Sequence, residues 1–217
     1  MAKQKKVAVV LAGSGVFDGS EIHETTITLY ALAKQGAHYE IFAPDIDQHH
    51  VVNHITGEEM PEKRNVLIES ARIARGKIKA LEEYNPDDFD ALIIPGGFGV
   101  AKNLCSFAFD GPEMQVLPLV EKVIKETNQK SKPIGAICIS PVLIAKILGD
   151  VNLTIGQDEG TINAIEKMGA KHEASNHGDV IIDKKKMVLT TPCYMLDGSI
   201  EEIGKGAENL VNAILEM

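Results

Sequence analysis

A cysteine in the second half of the chain stands where a predicted strand gives way to a predicted helix. Residues 134–137 form an apolar run, Cys138 follows, and a helix is predicted over residues 141–148 with proline in its first turn. A side chain at such a turn is exposed above the sheet edge, and the helix N-terminus lowers the pKa of a cysteine. Cys138 is therefore a candidate nucleophile. Two alternatives stay open: Cys138 is a small buried apolar residue, or Ser140 is the nucleophile.

A glycine-rich turn, residues 95–99 with the sequence Pro-Gly-Gly-Phe-Gly, follows the predicted strand 90–94. Consecutive glycines let the backbone turn tightly and present N–H groups to a developing oxyanion. The Gly97 N–H, with Gly96 beside it, would pair with the N–H of Ile139 to complete an oxyanion hole. An ordinary turn between a strand and a helix also favours glycine, so the motif alone does not decide.

Two glutamates lie close to the end of the first predicted strand. The helix predicted over residues 21–35, capped by Ser20, carries Glu21 and Glu24 near its start. A carboxyl group there can exchange a proton with a thiol as a general acid or base. Either residue is equally well explained as a solvated carboxylate at the positive end of a helix dipole. Spacing alone does not separate Glu21 from Glu24.

The segment 13–19, directly after the first predicted strand, could form a dinucleotide-binding turn, with Asp45 ending the second strand. Its glycine spacing differs by one residue from the dinucleotide fingerprint. The capped helix begins only after the third glycine, so a phosphate would not meet its N-terminus. The sequence favours a site without a nucleotide, and no cofactor is expected.

A polar, histidine-rich stretch over residues 44–64 is long enough to be a functional loop. It lacks the spacing of a zinc motif such as H-E-x-x-H, and no metal is expected. A surface loop is the preferred interpretation. Its candidate metal ligands would be His49, His50, His54, Glu58 and Glu59.

The elements that must position these residues alternate between strands and helices, which predicts a mostly parallel sheet between two helix layers. Ligands of such sheets bind beyond the carboxyl ends of the strands. The predicted strands are residues 6–12, 39–43, 90–94, 134–137, 153–155, 180–183 and 187–191. The predicted helices are residues 21–35, 112 or 113 to 127, 141–148, 161–168, and a last helix capped near Ser199 and ending at 215.

The composition argues against several classes of protein. A chain of 217 residues, 44% of them hydrophobic, suits one domain, and its apolar runs fall far short of the roughly 20 residues that span a bilayer. A net charge of −9 with no tryptophan argues against nucleic-acid and membrane partners. Three cysteines without close pairing favour a reducing compartment, and we expect an unprocessed cytoplasmic protein.

Several segments together resemble the PfpI-like branch of the class I glutamine amidotransferase-like superfamily, and more closely its ElbB-type family, the enhancing-lycopene-biosynthesis proteins. The superfamily segments are residues 10–12, 24–25, 95–97, 101–104 and 136–138. The ElbB-type segments are residues 15–24, 53–58, 64–69, 153–156 and 190–196. The similarity covers nearly the whole chain.

The resemblance implies a flavodoxin-like fold in one domain over residues 1–217, a homodimer, and Cys138 at a nucleophile elbow. It also implies Glu24 rather than Glu21 as the acidic partner, because the matching glutamate precedes a threonine and lies twelve residues before the helix-ending glycine. Further candidates for lining the site are Gly15, Asn103 and Cys193.

Members of the ElbB-type family are described as glyoxalases that need neither glutathione nor metal and convert glyoxal or methylglyoxal into a 2-hydroxy acid. The resemblance therefore implies a small dicarbonyl substrate, a hemithioacetal on Cys138, and Glu24 as acid or base. Many superfamily members carry a histidine after the short strand that follows the elbow helix. Here residues 153–158 read Leu-Thr-Ile-Gly-Gln-Asp, so peptidase or amidotransferase activity is not expected. The alternative is a non-catalytic or redox-sensing regulatory protein with an oxidisable Cys138, in an isoprenoid-related or stress-related role.

Overall fold

Nine strands form two sheets in the computed structural model, which describes residues 4–217. The strands are β1 (Lys6–Val10), β2 (His38–Ala43), β3 (Lys79–Ala80), β4 (Ala91–Ile94), β5 (Ile134–Ile137), β6 (Asn152–Leu153), β7 (Lys171–His172), β8 (Ile181–Asp183) and β9 (Val188–Thr191). The large sheet has the order β3-β2-β1-β4-β5-β9-β8, and β6 pairs with β7. Only β8 in the large sheet runs antiparallel to its neighbour.

Seven α-helices connect and cover these strands within the described residues. They are α1 (Ile22–Lys34), α2 (Val66–Ile73), α3 (Phe107–Asp110), α4 (Pro118–Gln129), α5 (Pro141–Leu148), α6 (Glu159–Lys167) and α7 (Ile200–Glu216). A single π-helical turn, Val100–Leu104, follows the glycine-rich turn after β4.

The sheet separates two apolar layers, because successive side chains of a strand point to opposite faces. On β1, Val7 and Val9 pack with α1, α2 and α7. Ala8 and Val10 pack on the other face with α4, α5 and α6. All four side chains are at most 1% exposed. The predicted flavodoxin-like α/β fold with a mostly parallel sheet is confirmed, whereas its description as a single domain stays a prediction.

The chain reverses its direction of travel across the sheet between β1 and β4. From β1 it continues to β2 and β3 on one side, and then returns to β4, β5 and β9 on the other. Such a switch point leaves a crevice beyond the carboxyl ends of the two central strands. The segments that follow β1, β4, β5 and β9 therefore meet at one place, where the sequence predicts the site.

Candidate active site

Cys138 lies at the turn between β5 and α5 in a conformation that few side chains adopt. Its φ angle is +60°, in the left-handed region, where a non-glycine residue is strained. The Cys138 N–H donates to the carbonyl of Thr191 on β9 at 3.0 Å, which fixes the turn against the neighbouring strand. Ser140, the rival nucleophile, is fully buried, and its hydroxyl donates to the Pro95 carbonyl at 2.7 Å. Ser140 is therefore engaged in joining two turns.

Glu24 is the carboxyl group that contacts Cys138. It is fully buried in the first turn of α1, and one of its oxygens and the Cys138 sulfur lie 2.6 and 2.8 Å from the position that a β-carbon on Gly96 would take. One of its oxygens accepts from the Gly96 N–H at 3.0 Å and the other from the Tyr194 N–H at 3.1 Å. Three segments of chain, after β4, β5 and β9, thus converge on one carboxyl group.

Glu21 has a different position, although spacing alone did not distinguish it from Glu24. Its carboxyl group caps α1 by accepting from the Glu24 N–H at 2.7 Å. The prediction that Ser20 caps this helix is wrong, since the Ser20 hydroxyl accepts from the Ala12 N–H at 2.8 Å and holds the end of β1. Ser20 and Glu21 both lie next to the start of α1 and both have side chains that can cap a helix. The path of the chain decides which of them does so.

Burial governs the protonation of the pair. Burial is the largest cause that raises the pKa of Glu24 to about 8, and the charge of the neighbouring Glu21 adds to it against the lowering effect of the Tyr194, Cys138 and Gly96 hydrogen bonds. Burial also raises the pKa of Cys138 well above its usual value, as does the charge of Glu24, while a hydrogen bond from the Gly97 backbone lowers it. The predicted depression of the Cys138 pKa is wrong, because the loss of solvent outweighs the helix N-terminus. At neutral pH the resting pair is a thiol beside a mostly protonated carboxyl group.

The glycine-rich turn approaches the pair closely because it has no side chains there. A β-carbon on Gly96 would lie 2.4 Å from the Cys138 β-carbon and 2.6 Å from a Glu24 carboxyl oxygen. Gly97 has φ +102° and packs against the backbone of Glu21, where a β-carbon would again lie at 2.4 Å. A hydrogen bond from its backbone lowers the pKa of the Cys138 thiol, as that of an oxyanion or thiolate donor would.

A cavity of about 470 Å³ opens in front of the Cys138 thiol. Gly97 and Ile139, the two predicted oxyanion-hole residues, both line it. A larger cavity, of about 930 Å³, lies beside α2 and β3, where residues such as Arg75 and Lys77 line it. Size alone would therefore point away from the cysteine, and the chemistry of the lining identifies the smaller cavity as the candidate site.

Two residues predicted to line the site lie directly behind its wall. Gly15 packs against His54, whose Nε2 atom would lie 2.6 Å from a β-carbon there, and its neighbour Val16 lines the cavity instead. Cys193 is 2% exposed in the buried layer beneath the site, and its neighbour Tyr194 lines the cavity. Both predictions identified the correct turn but the adjacent residue.

Asn103, the third such candidate, joins three parts of the chain behind the cavity. Its amide nitrogen donates to the carbonyls of Ala12 and Asp18 at 2.9 and 3.0 Å. Its amide oxygen accepts from the His49 N–H at 2.9 Å. Asn103 therefore ties the π-helical turn to the end of β1 and to the histidine-rich loop.

The histidine-rich loop lacks regular strands and helices, as predicted, and two of its histidines share one partner whereas the third has another. The rings of His49 and His50 pack on Phe109, with centroids 4.3 and 5.7 Å from it. His54 instead accepts from the Phe17 N–H at 3.2 Å. The lining of the Cys138 cavity, within residues 4–217, contains none of the three.

A different histidine, His23, contacts a residue of the cavity wall. The sequence analysis assigned it no role. The Nδ1 atom of His23 lies 2.8 Å from the Tyr194 hydroxyl, and Tyr194 both lines the cavity and donates to Glu24. These contacts join α1 to the turn after β9. Spacing in sequence carries no signal for them, since the two residues are 171 positions apart.

The outer wall of the cavity was also missed. Asp158 caps α6 by accepting from the Thr161 N–H at 2.8 Å, and both residues line the cavity. An Asp three residues before a threonine is a recognisable helix start. Nothing in that pattern indicates that the helix start faces Cys138, because the packing of α6 against the sheet decides it.

These features define a doubly wound α/β protein with a buried cysteine–glutamate pair at the switch point of its sheet. The chain belongs to the DJ-1/PfpI family, whose model matches residues 5–191. The predicted membership of the class I glutamine amidotransferase-like superfamily is thereby confirmed at the level of this family.

Curated relatives match nearly the whole chain. The human "Glutamine amidotransferase-like class 1 domain-containing protein 3, mitochondrial" is 46% identical over 98% of this chain and 83% of its own length. The rat "ES1 protein homolog, mitochondrial" is 45% identical over 98% and 84%.

Solved structures give the same fold. A crystal structure of an isoprenoid biosynthesis protein with an amidotransferase-like domain from Ehrlichia chaffeensis has a TM-score of 0.91 and 35% identity, covering 97% of this chain and 99% of that one. Glyoxalase III from Candida albicans has a TM-score of 0.63 over 98% and 96% of the two chains. At 16% identity that second likeness extends to the fold alone.

The expected cytoplasmic location is wrong by these comparisons, because the human and rat relatives are named as mitochondrial proteins. Unpaired cysteines indicated a reducing compartment, and that chemistry does not distinguish one reducing compartment from another. Within residues 4–217, every helix is too short or too polar to cross a bilayer.

Proposed function

We propose that this protein is a glyoxalase-like enzyme that converts a 2-oxoaldehyde into a 2-hydroxy acid without a cofactor, through Cys138 and Glu24. One observation carries the proposal: a fully buried carboxyl group lies beside a thiol at the wall of a cavity that Gly97 also lines. A nucleophile, a proton carrier and an oxyanion donor are the groups that this isomerisation requires.

The reaction would begin with proton transfer from the thiol to ionised Glu24. With a pKa of about 8, about a tenth of Glu24 is ionised at pH 7. The Cys138 thiolate then adds to the aldehyde carbon, and Glu24 returns the proton to the new alkoxide. The Gly97 and Ile139 N–H groups would hold that oxygen while it carries charge.

Isomerisation would follow on the same carboxyl group. Glu24 takes the hydrogen of the former aldehyde carbon as a proton and delivers it to the neighbouring carbonyl carbon, while the hydroxyl proton of the hemithioacetal moves to the neighbouring oxygen, leaving a 2-hydroxyacyl thioester on Cys138. Water hydrolyses the thioester and restores the thiol. One carbon is oxidised and its neighbour reduced by two electrons, so no external oxidant is needed.

Glycolate formation from glyoxal, in buffer free of glutathione and with a metal chelator, tests the proposal. We expect Cys138→Ala to abolish turnover and Glu24→Gln to reduce it at least about 100-fold, a usual contribution of one acid–base group. Cys105→Ala is the matched control, because Cys105 is buried elsewhere and bonds to the Val100 carbonyl. Full glycolate formation by Cys138→Ala would contradict the proposal.

A redox-sensing role is the alternative, in which peroxide would oxidise the Cys138 thiolate. Mass spectrometry after mild peroxide treatment separates the two functions. Selective oxidation of Cys138 with negligible glyoxal turnover would favour the sensor.

A further inference from the structure

The cavity in front of Cys138 is much larger than glyoxal. Its volume of about 470 Å³ falls within the range of roughly 300–1,000 Å³ that drug-sized ligands occupy. A two-carbon dicarbonyl would leave most of this space to water and would gain little from the surrounding walls. The volume therefore indicates a substrate with a substantial body attached to its reacting carbonyl groups.

The walls of the cavity are mainly apolar. Phe98 and Phe107 lie on one side, after β4 and in α3, and Ile139 follows the cysteine. Val16 and Met195 extend the apolar lining. Phe98 is 49% exposed, although a ring of this size usually stabilises a protein by being buried. A ligand with an apolar body would cover it.

The charged residues of the lining are both acidic. Glu21 and Asp158 line the cavity, whose lining within residues 4–217 includes neither arginine nor lysine. The pKa of Asp158 is lowered by its hydrogen bonds to Thr161, so this carboxylate is ionised at neutral pH. The Lys102 ammonium lies 5.6 Å from the centre of the Phe98 ring, but it donates to the Phe17 carbonyl in a separate cavity.

We infer that the site selects an aldehyde with an aromatic or branched apolar body and no negative charge, and that it disfavours both two-carbon and anionic aldehydes. The inference rests on the proposed function, whose nucleophile it shares. A phosphorylated or carboxylated aldehyde would bring its charge toward Asp158 and Glu21 without a basic partner. Phenylglyoxal is a neutral probe of the selected class, and its isomerisation with water gives mandelate by the same balanced steps.

Turnover of four 2-oxoaldehydes tests the substrate class: glyoxal, methylglyoxal, phenylglyoxal and 4-carboxyphenylglyoxal, each followed by the 2-hydroxy acid formed. We expect kcat/KM for phenylglyoxal to exceed that for glyoxal by at least about tenfold, since burial of a phenyl group against these apolar walls stabilises the bound state. The carboxylated compound should be at least about tenfold poorer than phenylglyoxal. Equal or better turnover of glyoxal, or of the anionic compound, would overturn the inference.

Neutralising Asp158 tests whether its charge makes the cavity disfavour anionic substrates. Asp158→Asn keeps an N-cap side chain, and we expect it to raise kcat/KM for 4-carboxyphenylglyoxal several-fold relative to phenylglyoxal. Glu166→Gln is the control, because Glu166 is exposed on the same helix and is not part of the cavity lining. An equal effect of both substitutions would show that net charge, rather than this cavity, determines selectivity.

Alkylation of Cys138 separates failure of this inference from failure of the proposed function, because it needs no turnover. Rates with iodoacetamide, iodoacetate and N-benzyl-2-iodoacetamide, divided by the rates of the same reagents with glutathione, report access to the thiol. We expect the benzyl reagent to be favoured and iodoacetate disfavoured, each by about tenfold. Absent turnover with this preference intact would overturn the enzymatic proposal alone. Turnover with no preference would overturn the inference alone.

Discussion

Gly96 brings its backbone N–H to Glu24 only because it has no side chain. A methyl group there would overlap both Cys138 and Glu24, the two residues on which the proposed chemistry depends. Glycine is required at this position because the backbone lies so close to Cys138 and Glu24, and not because its φ angle is unusual.

Gly96→Ala should therefore lower the free energy of unfolding by about 1–3 kcal/mol, the usual cost of forcing atoms into a packed site, and should abolish glycolate formation. Chemical denaturation and the glyoxal assay measure the two effects. Gly160→Ala is the control with the opposite sign: it lies in α6, where a β-carbon would meet only an Asp158 oxygen at 3.5 Å. We expect that change to stabilise by about 0.5–1 kcal/mol.

Glu24 must lose its proton before it can accept one from the thiol. With its pKa raised to about 8 by burial, kcat/KM should rise about tenfold per pH unit below pH 8 and level off above it. The profile is measured from pH 6 to 9 with wild-type protein, and Glu24→Gln should lack this limb. A wild-type profile that is flat over the whole range would contradict the role of Glu24 as base.

At the scale of elements, the π-helical turn Val100–Leu104 connects the site to the histidine-rich loop through one side chain. Asn103 makes three hydrogen bonds and is 8% exposed. Its loss would leave the carbonyls of Ala12 and Asp18 without their donor.

Asn103→Ala should lower the free energy of unfolding by about 2–4 kcal/mol, because buried polar groups left without partners are costly. It should also speed proteolysis within residues 44–64, since the His49 N–H loses its acceptor. Asn163→Ala, on the exposed face of α6, is the matched control and should change stability by less than about 0.5 kcal/mol. Unchanged protease sensitivity of the loop would contradict the assigned role.

Sequence reasoning predicted elements best where a single local pattern determined them. β5 and α5, on either side of Cys138, have the predicted bounds, and Ser199 caps α7 as expected. The helix predicted from residue 112 or 113 begins instead at Pro118, because Pro112 lies in a separate 3₁₀ turn. Both prolines suit a first helical turn, so propensity could not choose between them.

The contents of the site were harder to predict than the turns that hold it. Cys138 and the glycine-rich turn were identified because each directly follows a strand, whereas only the family resemblance separated Glu24, in the first turn of α1, from Glu21. Asp158 was missed because its approach depends on how α6 packs, which no local pattern records. The pKa of Cys138 was predicted in the wrong direction because its burial could not be judged from its turn.

At the scale of the whole molecule, Glu24 links stability to pH. Its pKa is about 8 when folded and 4.5 for an exposed glutamate, so the folded state binds this proton more tightly. The stabilisation is complete below pH 4.5 and is lost as pH rises to about 8.

The free energy of unfolding of the wild type, relative to that of Glu24→Gln, should consequently fall by up to about 4 kcal/mol between pH 5 and pH 9. Urea denaturation at each pH measures the difference, which cancels the titration of groups common to both proteins. A difference that stays constant or grows with pH would contradict the burial of an ionisable Glu24.

The homodimer implied by the family resemblance stays a prediction, and the outline of the large sheet restricts how it could form. Its edge strands are short: β3 has two residues and β8 three. Charged groups lie at both, with Lys79 paired to Glu40 beside β3 and three lysines directly after β8. Such edges offer few free backbone groups to a neighbouring chain and repel its approach. Two copies would thus join through helices or loops rather than by extending one sheet across the boundary between subunits.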